Sequence, residues 1–301
     1  MRSTRRPEVD VILPVFNEDR ELVKNIVTKI REVMEGVAET RILVVNDGSK
    51  EEYNIDSLAE GNGIIYLKHP ANRGYGAALK TGIAFGNAPW IAILDADGTY
   101  PVESLAVLIR EMEDADMVVG ARTGGLFQGC VIRRVTKKLL NVVASYLARV
   151  RIADLNSGMR IFTRRLCHTF WGLLPPRFSF TSTLTMGALV VGARVKEIPI
   201  EYHKRIGESS IRPLHDTMGF IGIIVRMGLL FHPLRLFGPV AGLLFAVGFF
   251  KGFVRDYFVV GHVGNLAVML ILTAVQIFFM GLVAELIVSN RKLSLERKGD
   301  E

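Results

Sequence analysis

Two aspartates separated by one residue, Asp95 and Asp97, end an apolar segment that reads WIAILDADGTYP over residues 90–101. Carboxylates at this spacing on a turn can share one hard divalent cation, Mg2+ or Mn2+, which can also bind the oxygens of a diphosphate. An aspartate-rich turn that only closes a strand is the structural alternative, because aspartate is common in turns. The motif predicts a leaving-group site with Asp95 and Asp97 as metal ligands.

Polar side chains also follow two earlier apolar segments. Asn17 and Glu18 come after VDVILPVF, and Asn46 and Asp47 come after RILVV. Side chains of this kind at a strand end can hold a nucleoside, and Asp47 can accept a hydrogen bond from a base N–H or a ribose hydroxyl. Turn formation and helix capping are the alternative roles for Asn17, Asn46 and Asp47. These residues predict a nucleotide pocket.

A glycine-rich segment, NRGYGAALKTG at residues 72–82, lies between Asp47 and the aspartate pair in the sequence. Glycine lets the backbone approach a ligand closely, while Arg73 and Lys80 can bring positive charge to a diphosphate. A glycine-rich helix start is common by itself, so this segment supports the diphosphate prediction only together with its neighbours.

These residues need a scaffold that brings them together. From Val9 to about Ile200, short apolar runs alternate with helical patterns such as ELVKNIVTKIREVM. Such alternation predicts an α/β, Rossmann-like domain with a largely parallel, doubly wound sheet. Ligands of such sheets bind beyond the carboxyl ends of the strands, where the asparagines and aspartates of this sequence fall.

Several motifs occur together in a recognisable order. They are PVFNE at 14–18, VVNDGS at 44–49, NRGYGAALKTG at 72–82, DAD at 95–97, GAR at 120–122, DLNSGMR at 154–160 and RIGESS at 205–210. This set resembles the family 2 glycosyltransferases, which have the GT-A fold. Within that family the chain is similar to the subgroup of dolichol-phosphate mannose synthase and bacterial polyprenyl-phosphate glucosyltransferases.

The resemblance implies roles for particular residues of this chain. The nucleotide-sugar would be bound by Pro14, Phe16, Asn17, Glu18, Asn46, Asp47, Arg73, Gly74, Lys80, Asp95 and Ala96. The catalytic residues would be Asp97, Asp154 and Arg205, and the lipid phosphate would be bound by Arg122, Arg133, Arg134, Arg205 and Ser209. Basic residues of the segment RRVTKK have an alternative role, because they can face lipid headgroups as a solvated positive surface.

The role of Asp154 stays open at this point. A phosphate acceptor is already anionic near neutral pH, since its second pKa is about 6, and needs no strong protein base. Asp154 would then orient the phosphate or the sugar, or cap the following turn. A hydroxyl acceptor, such as a diacylglycerol or a growing glycan, would instead need Asp154 as a general base. A catalytically silent membrane subunit is the non-enzymatic alternative. The intact set of the DAD motif, Asp154 and Arg205 argues against it.

Three positions depart from the family pattern. Thr99 stands where the related synthases often have a glutamine, and Asn46 stands where an aspartate is common. Ser210 follows the RIGES segment in place of the usual lysine, with Arg212 two residues later. The departure at Thr99 leaves the identity of the donor open.

The composition changes after Arg212. Two apolar stretches, roughly 234–253 and 263–287, are long enough to cross a membrane, and a short loop with Lys251, Arg255 and Asp256 is expected between them. A buried helical hairpin of a soluble protein is the alternative. Basic residues flank both stretches on their outer sides, which predicts that both termini are cytosolic. The segment 216–232 carries Arg226 and is expected to lie in the membrane interface.

The predicted organisation is therefore a cytosolic GT-A domain at 1–212, an amphipathic segment at 213–232 and a two-helix anchor at 233–301. The net charge of +7 suits anionic lipid or phosphorylated substrates, and no nucleic-acid partner is expected. The two cysteines, Cys130 and Cys167, are expected to be buried thiols. Self-association through the segment GPVAGLLFAVG is a further hypothesis. The predicted activity is metal-dependent, inverting transfer of a monosaccharide from a UDP- or GDP-sugar to an undecaprenyl or dolichyl phosphate.

Overall fold

The structure is a computed structural model that describes residues 6–53, 64–123, 142–143, 145–146, 150–177, 179–203, 225–226 and 228–299. The chain divides into two compact units, Met1–Thr217 and Met218–Glu301. The division falls within the segment predicted to lie at the membrane interface. Each unit is described separately.

A mixed sheet forms the centre of the first unit. Its strands in the described part of the chain are β1 (Glu8–Val15), β2 (Glu39–Asn46), β3 (Ile64–Lys68), β4 (Trp90–Ile93), β5 (Met117–Thr123), β6 (Arg160–Thr163) and β7 (Val195–Glu201). They lie in the order β3-β2-β1-β4-β6-β5-β7. Every neighbouring pair is parallel except the two pairs that contain β6. The largely parallel α/β sheet is confirmed.

The helices of this unit pack on the sheet. In the described part of the chain, those with assigned bounds are α1 (Arg20–Met34), α2 (Tyr75–Phe85), α3 (Ser104–Arg110), α4 (Arg164–Thr169) and α5 (Phe180–Val190). Asp19 caps α1 by accepting the N–H of Leu22 at 2.9 Å, which satisfies one of the free donors of the first turn. Helix α1 buries Val23, Ile26 and Ile30, whose spacing places them on one face.

Strand β1 is central and is buried on both faces. Val11, Ile12 and Leu13 are consecutive and all inaccessible to solvent, as expected for a parallel strand covered by helices on both sides. Chain order runs outward from β1 to β2 and β3, and then returns to β4 on the other side of β1. The strand order therefore reverses between β1 and β4, and at such a point a crevice opens beyond the strand ends. Asp95 and Asp97 follow β4 at this crevice.

The second unit is a helical hairpin. Helix α6 (Pro233–Phe249) continues directly as a π-helix (Phe250–Val260), and helix α7 (Asn265–Gly299) follows. Residues Pro233–Phe258 and Asn265–Asn290 are long and apolar enough to cross a membrane, with mean hydropathies of 1.7 and 2.5. These ranges overlap the two predicted spans. The preceding segment, predicted at 216–232, is described only at 225–226 and 228–232 and is helical there up to residue 231.

The residues expected in a loop between the spans belong to the π-helix instead. The Lys251 ammonium contacts the Asp256 carboxylate at 2.8 Å, and the same carboxylate accepts the N–H of Gly264 at 3.2 Å. A pair five residues apart matches the hydrogen-bond period of a π-helix. Asp256 thus pairs with Lys251 within the π-helix and joins the end of this helix to the start of α7.

Candidate active site

The loops after β1 and β2 are joined by hydrogen bonds. The N–H of Asn17 donates to Ser49 Oγ at 3.0 Å, and Asn17 Oδ1 accepts the N–H of Lys50 at 3.0 Å. Asn17 has a φ of 55°, in the left-handed region that asparagine tolerates better than most residues. Phe16, just before it, is 44% exposed. Pro14, within β1, is partly buried, and Glu18 follows Asn17 in the same loop. The structure thus brings the first two predicted nucleotide-binding segments side by side.

Asn46 is buried, and both ends of its amide are used. Its Oδ1 accepts the N–H of Ser49 at 2.9 Å, and its Nδ2 donates to the hydroxyl of Tyr66 at 2.8 Å. The side chain therefore shapes the turn after β2 and connects it to β3.

Asp47 holds the glycine-rich segment. Its Oδ1 accepts the N–H of Arg73 at 2.9 Å and its Oδ2 accepts the N–H of Gly74 at 2.8 Å, just before α2 begins. Oδ1 also lies 2.6 Å from Nδ1 of His69, whose Nε2 is 2.9 Å from Thr81 Oγ1. Because these contacts occupy most of the carboxylate, Asp47 positions the loop that faces the crevice.

The glycine-rich segment needs its glycines for two physical reasons. Gly74 has a φ of 103°, which residues with a Cβ rarely adopt. A Cβ on Gly76 would overlap the carbonyl oxygen of Pro175.

Lys80, which is predicted to bring positive charge to the diphosphate, contacts Trp171. Its ammonium donates to the Trp171 carbonyl at 3.0 Å and lies 5.1 Å from the centre of the Trp171 ring. Trp171 is thus an anchor for Lys80 that the sequence does not predict.

The aspartate pair lies just beyond β4, and each carboxylate is held by a hydroxyl. Tyr75 Oη donates to Asp95 Oδ1 at 2.8 Å. Thr99 donates to Asp97 Oδ1 through its Oγ1 at 2.6 Å and its N–H at 3.1 Å. Ala96 between the two aspartates is buried. Burial and the neighbouring charge of Asp97 raise the pKa of Asp95 to about 6.

This pair fits a divalent cation on chemical grounds. The negative charge of Asp97 helps to raise the pKa of Asp95, because the two carboxylates repel each other. A bound cation would offset this repulsion. Carboxylate oxygens are the ligands that Mg2+ and Mn2+ prefer, and the oxygens of a bound diphosphate can complete such a site. No cluster of three or more His, Cys, Asp or Glu side chains that could hold a metal occurs among the described residues.

Asp154 and Arg122 form an ion pair with two parallel hydrogen bonds. Arg122 Nε donates to Asp154 Oδ2 at 2.5 Å and Nη2 donates to Oδ1 at 2.7 Å. Oδ2 also accepts the N–H of Arg122 at 3.2 Å, and Oδ1 accepts the N–H of Asn156 at 3.3 Å. Burial alone would lower the pKa of Arg122, but the hydrogen-bonded Asp154 outweighs it and raises that pKa. The guanidinium is therefore permanently charged, and it also lies over the ring of Tyr202 at 5.3 Å.

The segment that follows Asp154 wraps around a buried arginine. The Arg160 guanidinium donates to the carbonyls of Leu155 and Ser157 and, at 2.9 Å, to that of Thr181. Its Nη1 also donates to Thr185 Oγ1 at 2.6 Å. Arg160 has no carboxylate partner among the described residues. Its charge is surrounded by neutral oxygen atoms, and its burial lowers its pKa.

Gly158 lies in the middle of this segment and contacts both halves of the site. Its N–H donates to Tyr100 Oη at 2.6 Å, and a Cβ at this position would overlap the Asp95 carboxylate. The Asp154 segment and the aspartate pair are therefore packed directly against each other. Asp95 and Asp154, two predicted site residues far apart in the sequence, belong to one site.

The remaining predicted site residues lie in segments of which the structure describes only a part. The N–H of His203 donates to the Thr99 carbonyl at 2.9 Å, which ties the chain just after β7 to the turn that carries Asp97. Arg205 and Ser209 follow two and six residues later, and both lie outside the described residues. Arg133, Arg134 and Cys130 also lie outside them, whereas Cys167 is buried as expected.

Several residues of the site are not apparent from the sequence. Tyr75 and Tyr100 lie within recognised motifs but at positions where the motif specifies no side chain. Tyr202 and Glu197 lie on or just after β7, and no local pattern marks them. Glu197 accepts the N–H groups of Ala153 and Asp154. Only the pairing of β7 with β5 brings it there.

Comparison with known proteins adds independent information. A sequence profile of glycosyl transferase family 2 matches residues 10–170, and a profile of the GtrB C-terminal hairpin matches residues 232–289. The first match covers more than half of the chain and runs from within β1 to just past α4. The second covers the first apolar helix and most of the second.

Curated relatives of this chain include proteins from Haloferax volcanii. The low-salt glycan biosynthesis hexosyltransferase Agl6 is 29% identical over 216 residues, which are 70% of this chain and 51% of Agl6. The chain therefore spans about half the length of that relative. A protein named dolichyl-phosphate hexose transferase is 26% identical over 209 residues, which are 68% of this chain and 87% of that protein.

Solved structures show the same fold. Glucosyl-3-phosphoglycerate synthase from Mycobacterium tuberculosis, in complex with Mn2+, UDP and glucosyl-3-phosphoglycerate, matches with a TM-score of 0.57 and 18% identity. The match covers 75% of this chain and 81% of the synthase. At this identity the likeness concerns the fold alone, and it confirms the GT-A architecture.

Proposed function

Since this chain belongs to glycosyl transferase family 2, we propose that it is a membrane hexosyltransferase that transfers a sugar from a nucleotide-sugar to a polyprenyl phosphate. The transfer inverts the anomeric centre, depends on a divalent metal and takes place at the cytosolic face. The dolichyl-phosphate hexose transferase among the relatives and the GtrB-type hairpin support this acceptor class.

The ion pair of Asp154 and Arg122 is the observation that carries the proposal. The Asp154 carboxylate accepts four N–H donors, three of them from Arg122. A carboxylate has about four lone-pair positions, so a proton taken from a hydroxyl would have to displace one of these donors. Asp154 is therefore poorly suited to act as a general base. An acceptor that already carries a negative oxygen needs no such base.

The donor side follows from the aspartate pair. Asp95 and Asp97 would hold Mg2+ or Mn2+ against the diphosphate, and the cation supplies charge neutralisation of the departing nucleoside diphosphate. The residues of the chain hold the metal ligands and the diphosphate-binding loop in position. Tyr75 and Thr99 fix the two carboxylates, and Asp47 fixes the glycine-rich loop that approaches the diphosphate.

The acceptor side follows from Arg122. Its Nε and Nη2 are held by Asp154, while Nη1 makes no hydrogen bond with any described residue. In this proposal that edge binds a phosphate oxygen, because a guanidinium can serve two anions through different edges. In this proposal Arg133, Arg134, Arg205 and Ser209 complete the phosphate site. The phosphate oxygen then attacks the anomeric carbon from the side opposite the diphosphate.

The hairpin supports a position at the membrane. Two apolar helices would anchor the chain, and the basic residues outside them favour cytosolic termini. A cytosolic catalytic unit close to the bilayer would meet the phosphate of a lipid whose chain stays in the membrane.

A donor and acceptor panel tests the proposal. Full-length protein in mild detergent is incubated with Mn2+, radiolabelled UDP-glucose, UDP-N-acetylglucosamine or GDP-mannose, and either polyprenyl phosphate or diacylglycerol. Label in the lipid extract with polyprenyl phosphate, and its loss in Asp97→Ala, is the expected result. Label only with diacylglycerol would contradict the proposal and assign a hydroxyl acceptor.

A further inference from the structure

Glu197 is the acidic side chain that meets the main chain of Asp154. It lies in β7, at the position paired with Val119 of β5. Its Oε1 accepts the N–H of Ala153 at 3.0 Å and the N–H of Asp154 at 3.2 Å, and its Oε2 lies 2.9 Å from the N–H of Ala153. One carboxylate thus holds two consecutive amides at the start of the Asp154 segment.

A carboxylate makes this contact stronger than a neutral oxygen acceptor would. Glu197 is partly buried, and no described lysine, arginine or histidine lies within ion-pair distance of it. Removing a carboxylate from water is unfavourable unless strong hydrogen bonds replace the lost solvation. Charge-assisted bonds to backbone N–H groups are about twice as strong as neutral ones. The negative charge is therefore directed at the two amides.

The two ends of Asp154 are held by adjacent strands. Glu197 of β7 holds its main chain, and Arg122 of β5 holds its carboxylate. Strands β5 and β7 are paired in register from Met117 to Thr123, so the distance between these two anchors is set by the sheet. Neither anchor alone fixes both the position and the direction of the Asp154 side chain.

We propose that Glu197 is a positioning residue for the transfer reaction, because it holds Asp154 where that carboxylate can orient Arg122 toward the acceptor. This inference rests on the proposed function for the identity of the acceptor. Glu197 touches no reacting atom. A shift of about 1 Å at a catalytic group can lower the rate about 100-fold, so loss of this anchor should be visible in turnover.

The test compares Glu197→Ala and Glu197→Gln with Glu201→Gln, a change at an exposed position of the same strand. In the full-length protein, Glu197→Ala should lower kcat at least about 10-fold while KM for the nucleotide-sugar stays within about twofold. Glu197→Gln should recover part of the loss, because its amide oxygen can still accept one N–H. Glu201→Gln should match the wild type. A wild-type kcat in Glu197→Ala, or a loss expressed only in the donor KM, would overturn the inference.

Hydrogen exchange separates this inference from the proposed function. The peptide covering residues 151–160 should exchange faster in both Glu197 variants and at the wild-type rate in Glu201→Gln. This measurement needs no acceptor, so it stands even if polyprenyl phosphate proves to be the wrong substrate. Unchanged exchange in Glu197→Ala would refute the anchor, whereas a wild type that fails to label polyprenyl phosphate would refute the function alone.

Discussion

The hydroxyl of Tyr75, at the first position of α2, donates a 2.8 Å hydrogen bond to Oδ1 of Asp95, two residues beyond the end of β4. This bond joins the glycine-rich loop to the carboxylate pair. It also favours the charged form of Asp95 and so lowers its pKa, against the opposing effects of burial and Asp97. The protonation of Asp95 therefore depends on a residue of a different motif.

Activity should fall as the pH drops through about 6. The pKa of Asp95 is raised to about 6 by burial and by Asp97, and a protonated carboxyl binds a divalent cation poorly. The initial rate of donor turnover, measured from about pH 5 to 8 at subsaturating Mn2+, should show this acidic limb. Saturating Mn2+ should move the limb to lower pH, because metal and proton compete for the same oxygen atoms.

Replacement of Tyr75 by phenylalanine should move the acidic limb to higher pH. The change removes a hydrogen bond that stabilises the charged carboxylate, so the pKa of Asp95 rises further. The same pH series checks it, with Tyr66→Phe as a control at a tyrosine that contacts Asn46. A Tyr75→Phe profile that coincides with the wild type would show that this bond does not set the charge of Asp95.

Asp95→Asn should raise the stability of the metal-free protein while it abolishes transfer. The folded-state pKa of Asp95 is raised, so the folded state holds its proton more tightly than the unfolded chain does. Stability is therefore lost as the pH rises from about 4 to about 6. A neutral amide removes this penalty, and we expect a gain on the order of 1 kcal/mol at about pH 7.5. Thermal unfolding in EDTA measures it, and added Mn2+ should stabilise the wild type only.

Arg122→Lys should lower kcat about 10-fold to 100-fold although the positive charge is kept. An ammonium cannot form the two parallel bonds that Arg122 makes with Asp154, and it leaves no second edge for a phosphate. Steady-state kinetics with varied acceptor and varied donor locate the defect. The KM for the donor should be unchanged. An equal increase in the KM values for donor and acceptor would argue against an acceptor role.

Gly158→Ala should abolish activity, although the protein is still expressed. A Cβ at this position would overlap the Asp95 carboxylate, which must then move. Gly172→Ala is the matched control, because a Cβ there meets nothing within 4 Å. Metal-dependent nucleotide binding, measured by calorimetry, should be lost in the first variant and kept in the second. Normal nucleotide binding by Gly158→Ala would mean that the Asp154 segment moves to make room for the Cβ, and that the Asp95 carboxylate stays in place.

Much of this protein follows from the sequence by itself. Apolar periodicity determines the α/β order and the two apolar helices, because each strand or helix is encoded by residues that are close in the chain. The aspartate pair and the glycine-rich loop are local motifs for the same reason. Tertiary structure alone decides which groups hold these motifs. The bonds of Tyr75 to Asp95, Arg122 to Asp154 and Glu197 to Ala153 join residues 20, 32 and 44 positions apart. They exist because the order of the strands, including the antiparallel β6 between β4 and β5, places distant residues at one edge of the sheet.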